Sequence, residues 1–346
     1  VYKRQDTITP NVILRNILEN PGWYTQYTPY QPEISQGRLE ALLNYQTMIT
    51  QITALPIANA SLLDEGTAAS EAMLMLYRKN KSEKKQFLVD KECFQQTIDV
   101  ISRAEPLNVE IIVTDFKNFD FTNAFGCIVQ YPNKYGQIAS ENDYKRVVSD
   151  AHNSNCKVIF ASDLMCLQLF EAPGNLGADI AVGNSQRFGV PLGYGGPHAA
   201  FMSTSEEFKR DIPGRIVGVS QDRRGNQAYR LTLQTREQHI RREKATSNIC
   251  TAQVLLAIIS GMYALFHGPD DLKNIAKRIH SHTKELANKI SKLGHEIVTN
   301  DNSFFDTIVI KLSNMSIDDL KDKALKYNFN LMYHDNGLIG ISLDEK

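Results

Sequence analysis

The spacing of apolar positions divides the chain into short apolar runs and amphipathic stretches. The runs at 86–89, 109–114, 125–130 and 157–161 read as short buried strands, with helical patterns such as 141–153 between them. That alternation predicts a mainly parallel sheet with helices on both faces. Upstream, apolar residues at 39, 42, 43, 48, 49 and 52 form one helical stripe. Ser61 and Asp64 are candidate N-caps for the next helix, which runs through Arg78. The run 177–182 reads as a buried strand arriving at a turn, and 199–202 as a second short strand leaving it. Residues 213–220 and 222–226 read as loop and turn. A core helix is expected over 246–266, closed by Gly268 and Pro269, followed by a long amphipathic helix over 270–293. A strand at 304–311, a helix at 316–327 and strands at 330–333 and 337–343 complete the pattern. The expected organisation is an extended arm at 1–37, a large α/β domain at 38–268 and a smaller α/β domain at 269–346, truncated at Lys346.

The first of these segments is punctuated by Pro10, Pro21, Pro29 and Pro32, which break any long helix. Trp23, the only tryptophan, sits beside Tyr24, Tyr27 and Tyr30. An aromatic arm of this kind packs on something large. It is either pinned to its own core or reaches a partner's active site, and the residues alone leave both open.

Composition removes several classes of function. With 42% hydrophobic and 22% charged residues the chain is ordinary for a globular protein. A net charge of −1 makes no electrostatic case for nucleic acid or an anionic membrane. The longest apolar stretch, 254–266, falls well short of the ~20 residues that span a bilayer. The five cysteines form no CxxC pair and read as buried free thiols of a reducing compartment. The eight histidines form no compact ligand set, and a structural or solvated role, not a metal, is expected for all of them, His280 and His282 included.

The chemistry concentrates at 183–202, GNSQRFGVPLGYGGPHAAFM, where glycines let backbone turn sharply or approach closely. The layout resembles the cofactor-lysine hairpin of fold-type I pyridoxal-phosphate enzymes, in which a lysine after the strand forms a Schiff base with the cofactor. Here Gln186 stands at the matching place, and an amide nitrogen is not a nucleophile. Arg187 stays protonated and cannot replace it. The start of the helix after Asp64 is where such enzymes receive phosphate. Asp64 and Glu65 occupy it, which caps the helix and repels a dianion. Asp163 follows the strand at 157–161, as does the aspartate that pairs with the pyridine nitrogen in that fold, but a lone aspartate there reads more simply as a helix cap at Leu164. Lys244 is the rival Schiff-base lysine, but Arg241, Arg242 and Glu243 beside it describe a solvated surface, not an apolar pocket.

Four long segments together resemble one family: WYTQYTPYQPEISQGRLEALLNYQTMI, IANASLLDEGTAASEAM, GNSQRFGVPLGYGGPHAAFM and REQHIRREKATSNICTAQVLLAIISGMYALFHGP. The family is glycine decarboxylase, the pyridoxal-phosphate protein of the glycine cleavage system, and the similarity is to its N-terminal half, in the long single-chain form. The resemblance implies a degenerate copy of the fold-type I (aspartate aminotransferase-like) fold without the Schiff-base lysine, with no catalytic or cofactor-binding residue in this half. Pyridoxal phosphate would be bound by a C-terminal catalytic half that follows Lys346, and further chain would precede Val1. The implied reaction decarboxylates glycine and transfers the aminomethyl group to the lipoyl arm of H-protein. Implied partners are that catalytic half, lipoylated H-protein, glycine, the other glycine cleavage components and a second copy of the enzyme. The implied compartment is the bacterial cytoplasm, or the mitochondrial matrix in a eukaryote. Tyr27, Thr28, Pro29, Tyr30 and Gln31 would form an active-site wall across the interface between halves. A non-catalytic scaffold that binds partners, or a self-sufficient pyridoxal-phosphate enzyme using Lys244 or another lysine, are the alternatives.

Overall fold

The computed structural model describes residues 5–25, 28–195, 198–233, 240, 243, 245, 249, 253–299 and 303–346. A seven-stranded sheet organises the first part of the chain. Its strands are β1 (Ile57–Ala58), β2 (Gln86–Asp90), β3 (Glu110–Thr114), β4 (Ala124–Tyr131), β5 (Lys157–Asp163), β6 (Ile180–Asn184) and β7 (Ala200–Thr204). Their spatial order is β1-β7-β6-β5-β4-β2-β3. Strands β2 to β6 run parallel, while β7 is antiparallel to both β6 and β1.

Every residue of β4 is buried, as expected for a parallel strand covered on both faces. Successive side chains therefore enter two separate cores. Val158 and Phe160 pack with the helices Gln36–Thr53 and Glu141–Asn153 and the start of Val254–Lys292. Ile159 and Ala161 pack on the other face with Ala68, Ala72, Met73 and Leu76 of the helix Glu65–Lys79. Asp64 caps that helix by accepting from Thr67 N at 2.7 Å, and Ser140 caps Glu141–Asn153 by accepting from Asp143 N at 3.1 Å. Such caps satisfy backbone N–H groups that have no partner inside the helix.

A two-stranded hairpin, β8 (Ile216–Gln221) with β9 (Gln227–Thr232), follows β7. The sequence predicts a loop over 213–220, where the structure has a strand. Only the turn was right, with Asp222 Oδ1 accepting from Arg224 N and Asn226 N. The strand escaped notice because it is a half-exposed ribbon, with Val217 and Leu231 as its buried residues and glycine, proline and charge on either side.

The helix Val254–Lys292 is one run broken at Gly268 (φ 68°, ψ 173°), with Pro269 opening the second segment. Gly268, in a non-helical conformation, thus closes the first helix and Pro269 opens the second, as the sequence predicts. Beyond it lies an antiparallel sheet of β10 (Glu296–Ile297), β11 (Thr307–Lys311), β12 (Met332–Tyr333) and β13 (Ile339–Ser342), in the order β10-β11-β13-β12. Ile308, Ile310, Ile339, Ala287 and Ile290 form its own core with the second helix segment. The amino-terminal segment is not extended throughout. It makes helical turns at Asn11–Ile13, Leu14–Leu18 and Pro21–Tyr24, because Asn20 caps the last of these from Gly22 N and Pro21 sits at its first position.

Asp90, at the end of β2, is 1% exposed. Desolvation pushes its carboxyl up to about 7, although the Glu92 and Phe116 N–H groups pull it back. Because the folded value exceeds the unfolded value near ~4, ionising Asp90 costs folding stability. The cost is absent below ~4, grows as pH rises, and is complete above about 7. Asp90→Asn, permanently neutral, should therefore gain melting temperature relative to the parent between about pH 5 and about pH 8. A gain that does not change between the two pH values would show that Asp90 ionises normally.

Candidate functional site

The carboxyl ends of β4, β5 and β6 converge, as they do where ligands bind in open α/β sheets. They bring together Gln130, Ser162, Asp163, Asn184, Gln186 and Arg187, with Glu65 arriving from the start of its helix. The turn after β6 is set from below. Ser185, fully buried, donates through Oγ to Ala199 O at 3.0 Å, and its carbonyl accepts from Ser260 Oγ at 3.1 Å. Gly183 is packed so closely that a Cβ would lie 2.2 Å from Ser162 O, and one on Gly189 would lie 2.6 Å from the Tyr263 ring.

Gln186 is 3% exposed, and its Nε2 donates to Val190 O at 2.9 Å. Arg187 is 8% exposed. Its Nη1 lies 2.6 Å from Asp163 Oδ2 and 2.5 Å from Asp306 Oδ2, and its guanidinium sits 5.4 Å from the Phe305 ring centre. Burial by itself lowers the Arg187 pKa, but the two carboxylates more than offset it and the net shift is upward, so the group is a fixed cation. Asp163 also accepts from Met165 N at 2.8 Å, so it does cap the turn after β5 as well. Glu65 Oε2 meets His198 Nδ1 at 2.5 Å.

Measured against what pyridoxal phosphate requires, these residues do not fit. No amine nucleophile stands after β6. The carboxylates of Asp64 and Glu65 are spent on Thr67 N and His198 at the helix start where phosphate would sit. Asp163, the candidate partner of a pyridine nitrogen, already holds a guanidinium. The cavity they enclose is about 70 Å³, far below the ~300 Å³ at which cofactor-sized pockets begin. Among the described residues, Arg187 Nη2 and Ser162 Oγ face it without a protein partner, as groups satisfied by a few buried waters do.

The aromatic candidates lie elsewhere. Tyr27 and Lys244 fall outside the described residues. Thr28 and Pro29 are buried, while Tyr30 and Gln31 are exposed. Tyr30 Oη accepts from Arg215 Nη2 at 2.7 Å, and the Arg215 guanidinium lies 5.2 Å from the Tyr30 ring centre. Neither Tyr30 nor Gln31 lines the cavity beside Gln186. An open groove of about 1540 Å³ is lined by Met48, Ile52, Tyr144, Phe170, Leu265 and Leu272 among others, and by none of the candidate residues. Sequence reasoning missed Asp306, His198 and Arg215. Asp306 had a signal, a lone acid inside the apolar run 304–310, because a buried carboxylate demands a cation.

Other chemistry is thin. Cys93, Cys127, Cys156 and Cys166 are buried and free, and burial pushes the Cys93 and Cys127 thiols up, away from the reactive thiolate. His280 Nδ1 meets Phe305 O at 2.8 Å, a structural role. Among the described residues, no group of three or more His, Cys, Asp or Glu is placed to hold a metal, and no helix is long and apolar enough to cross a membrane.

The family model described as glycine cleavage system P-protein matches residues 3–346. The chain belongs to the glycine cleavage system P-protein family. It is 56% identical over 342 residues to a glycine dehydrogenase (decarboxylating) of Nostoc sp. PCC 7120, covering 98% of this chain and 34% of that protein. The corresponding protein of Thermosynechococcus vestitus is 55% identical, with 98% and 35% covered. The chain thus spans about a third of the length of these relatives, and the part matched is N-terminal. A crystal structure of glycine decarboxylase (P-protein) in inhibitor-bound form superposes with a TM-score of 0.87 at 30% identity, over 98% of this chain and 79% of that one. An aspartate aminotransferase of Thermus thermophilus, at 12% identity and a TM-score of 0.60, covers 89% of this chain and 85% of its own, and shares the fold. The fold is that of the fold-type I pyridoxal-phosphate enzymes, as the resemblance implied.

Supplying an amine alone should not repair the site. Gln186→Lys in this chain is expected to give no cofactor-dependent visible absorbance with excess pyridoxal phosphate, since Glu65 and Arg187 remain. A stoichiometric band would show that the missing nucleophile was the sole obstacle.

Proposed function

We propose that this chain belongs to the half of glycine decarboxylase that holds no cofactor. Arg187 carries the proposal, because it places a fixed cation between two carboxylates where a pyridoxal-phosphate enzyme keeps its ligand. The relatives that support the reading are named for glycine decarboxylation. In the complete enzyme, a catalytic half supplies the lysine and the pyridoxal phosphate, whose ring serves as electron sink. Glycine loses its carboxyl group there, and the remaining aminomethyl group passes to the lipoyl arm of H-protein. This chain walls the cleft, excludes water and presents a docking surface to its partners, which include the other components of the cleavage system and a second copy of the enzyme.

The wall is the segment from Tyr27 to Gln31. Its support is geometric: Tyr30 projects at the surface while a buried arginine holds its hydroxyl at 2.7 Å. A ring fixed in that way contributes apolar area and one oriented polar atom at little entropic cost. Glycine is too small to fill a cleft, so the exclusion of water must come from side chains of this kind.

In the full-length enzyme, Tyr30→Phe should lower glycine–bicarbonate exchange with little change in melting temperature. Loss of one hydrogen bond in a dry site costs about 1–3 kcal/mol, or roughly 10- to 100-fold in rate. If Tyr30→Phe is silent and Tyr30→Ala only lowers the melting temperature, the segment is packing and the wall lies elsewhere.

A further inference from the structure

We propose that Arg187 is a positioning residue that stands in for a ligand, holding the small sheet and the amino-terminal segment closed on the ends of the large sheet with nothing bound. Its two carboxylate partners come from different parts of the fold. Asp163 ends β5 in the large sheet, and Asp306 immediately precedes β11 in the small one. A single guanidinium nitrogen touches both, at 2.6 and 2.5 Å. Asp306 is fully buried, and Arg187 and Asp163 expose 9% and 18% of their side chains.

The two carboxylates sit this close only because a cation lies between them. Like charges in a low-dielectric site repel strongly, and a buried ion left without its partner destabilises far more than the intact pair contributes. The tie through Asp306 is therefore conditional on the guanidinium, and it stands beside the bridge of Gln137 to Phe304 and the packing of Phe305 in the large core. The second negative charge is spread further, since Asp306 Oδ1 also accepts from Thr307 Oγ1 at 2.9 Å and its Oδ2 from Gln5 Nε2.

Gln5 extends the same lock to the amino-terminal segment. Its Nε2 also donates to Leu343 O at 2.8 Å. Thr7 Oγ1 and Ile8 N donate to Glu345 Oε2 at 2.9 and 2.8 Å, and Tyr263 Oη donates to the same oxygen at 2.9 Å. Thr9 Oγ1 donates to Gly189 O at 2.8 Å, two residues beyond Arg187. The segment 5–9 thus lies between the end of the small sheet and the turn that carries Arg187. In a ligand-driven closure, the differential contacts come from the ligand. Here side chains of the fold make them, so this half has no open state to sample during turnover and serves as a rigid template.

The test is hydrogen exchange of segments 5–9, 303–306 and 343–345 in the full-length enzyme. In the parent these segments should be equally protected with and without saturating glycine. Arg187→Met keeps the side-chain length and removes the cation, and should raise their exchange by about tenfold or more while leaving β4 and β5 protected. Adding Asp306→Asn to Arg187→Met removes one of the two opposed carboxylates and should recover most of the protection, so the double variant is the more native of the two. Should Arg187→Met fail to fold, the double variant is expected to fold. The proposal is overturned by unchanged exchange in Arg187→Met, by a double variant no better than the single one, by failure of both to fold, or by glycine-dependent protection in the parent.

Discussion

A guanidinium buried between two aspartates is the interaction on which the rest of this structure turns. An arginine at that depth is tolerable only with its charge compensated, and the aspartates are tolerable there only with the arginine. Each group would be costly alone, and the three are contributed by β5, the turn after β6 and the edge of β11. The ion cluster therefore constrains where the two sheets lie. It also fills the ground that a fold-type I enzyme reserves for its cofactor.

The scaffold around that cluster is the ordinary one for its fold class. Parallel strands buried on both faces end at one level, a helix starts beside them, and a glycine-rich turn follows β6. What has changed is the use of those positions. A glutamine amide is tied to backbone, a glutamate at the helix start is tied to a histidine, and the acid that would face a pyridine faces an arginine. The geometry of a binding site persists, while Gln186, Glu65 and Asp163 have each been given an internal partner.

Local features were legible in the sequence, and long-range partners were not. The strands at 86–89, 125–130 and 157–161 could be read because a buried parallel strand is a continuous apolar run, and the Asp64 cap because capping is a matter of three or four residues. Gln186 stood out because the layout around it resembles the cofactor-lysine hairpin of fold-type I enzymes, with glutamine at the lysine's place. The partners of Glu65 and Arg187 lie 133 and 119 residues further along the chain, in His198 and Asp306, and no periodicity connects them. The hairpin of β8 and β9 was hidden because its half-exposed strands carry little apolar signal. Arg187 was weighed only as a nucleophile, and its role as a counter-ion needed the fold to appear. The wall assigned to Tyr27 through Gln31 came from family resemblance, since an aromatic arm by itself packs anywhere.

The most direct measurement is the location of the cofactor in the full-length enzyme. Borohydride reduction fixes bound pyridoxal phosphate to the lysine that holds it, and peptide mapping then finds that lysine. All label should fall outside these 346 residues. Stoichiometric label on any lysine within them, Lys244 included, would contradict the proposal that this half holds no cofactor.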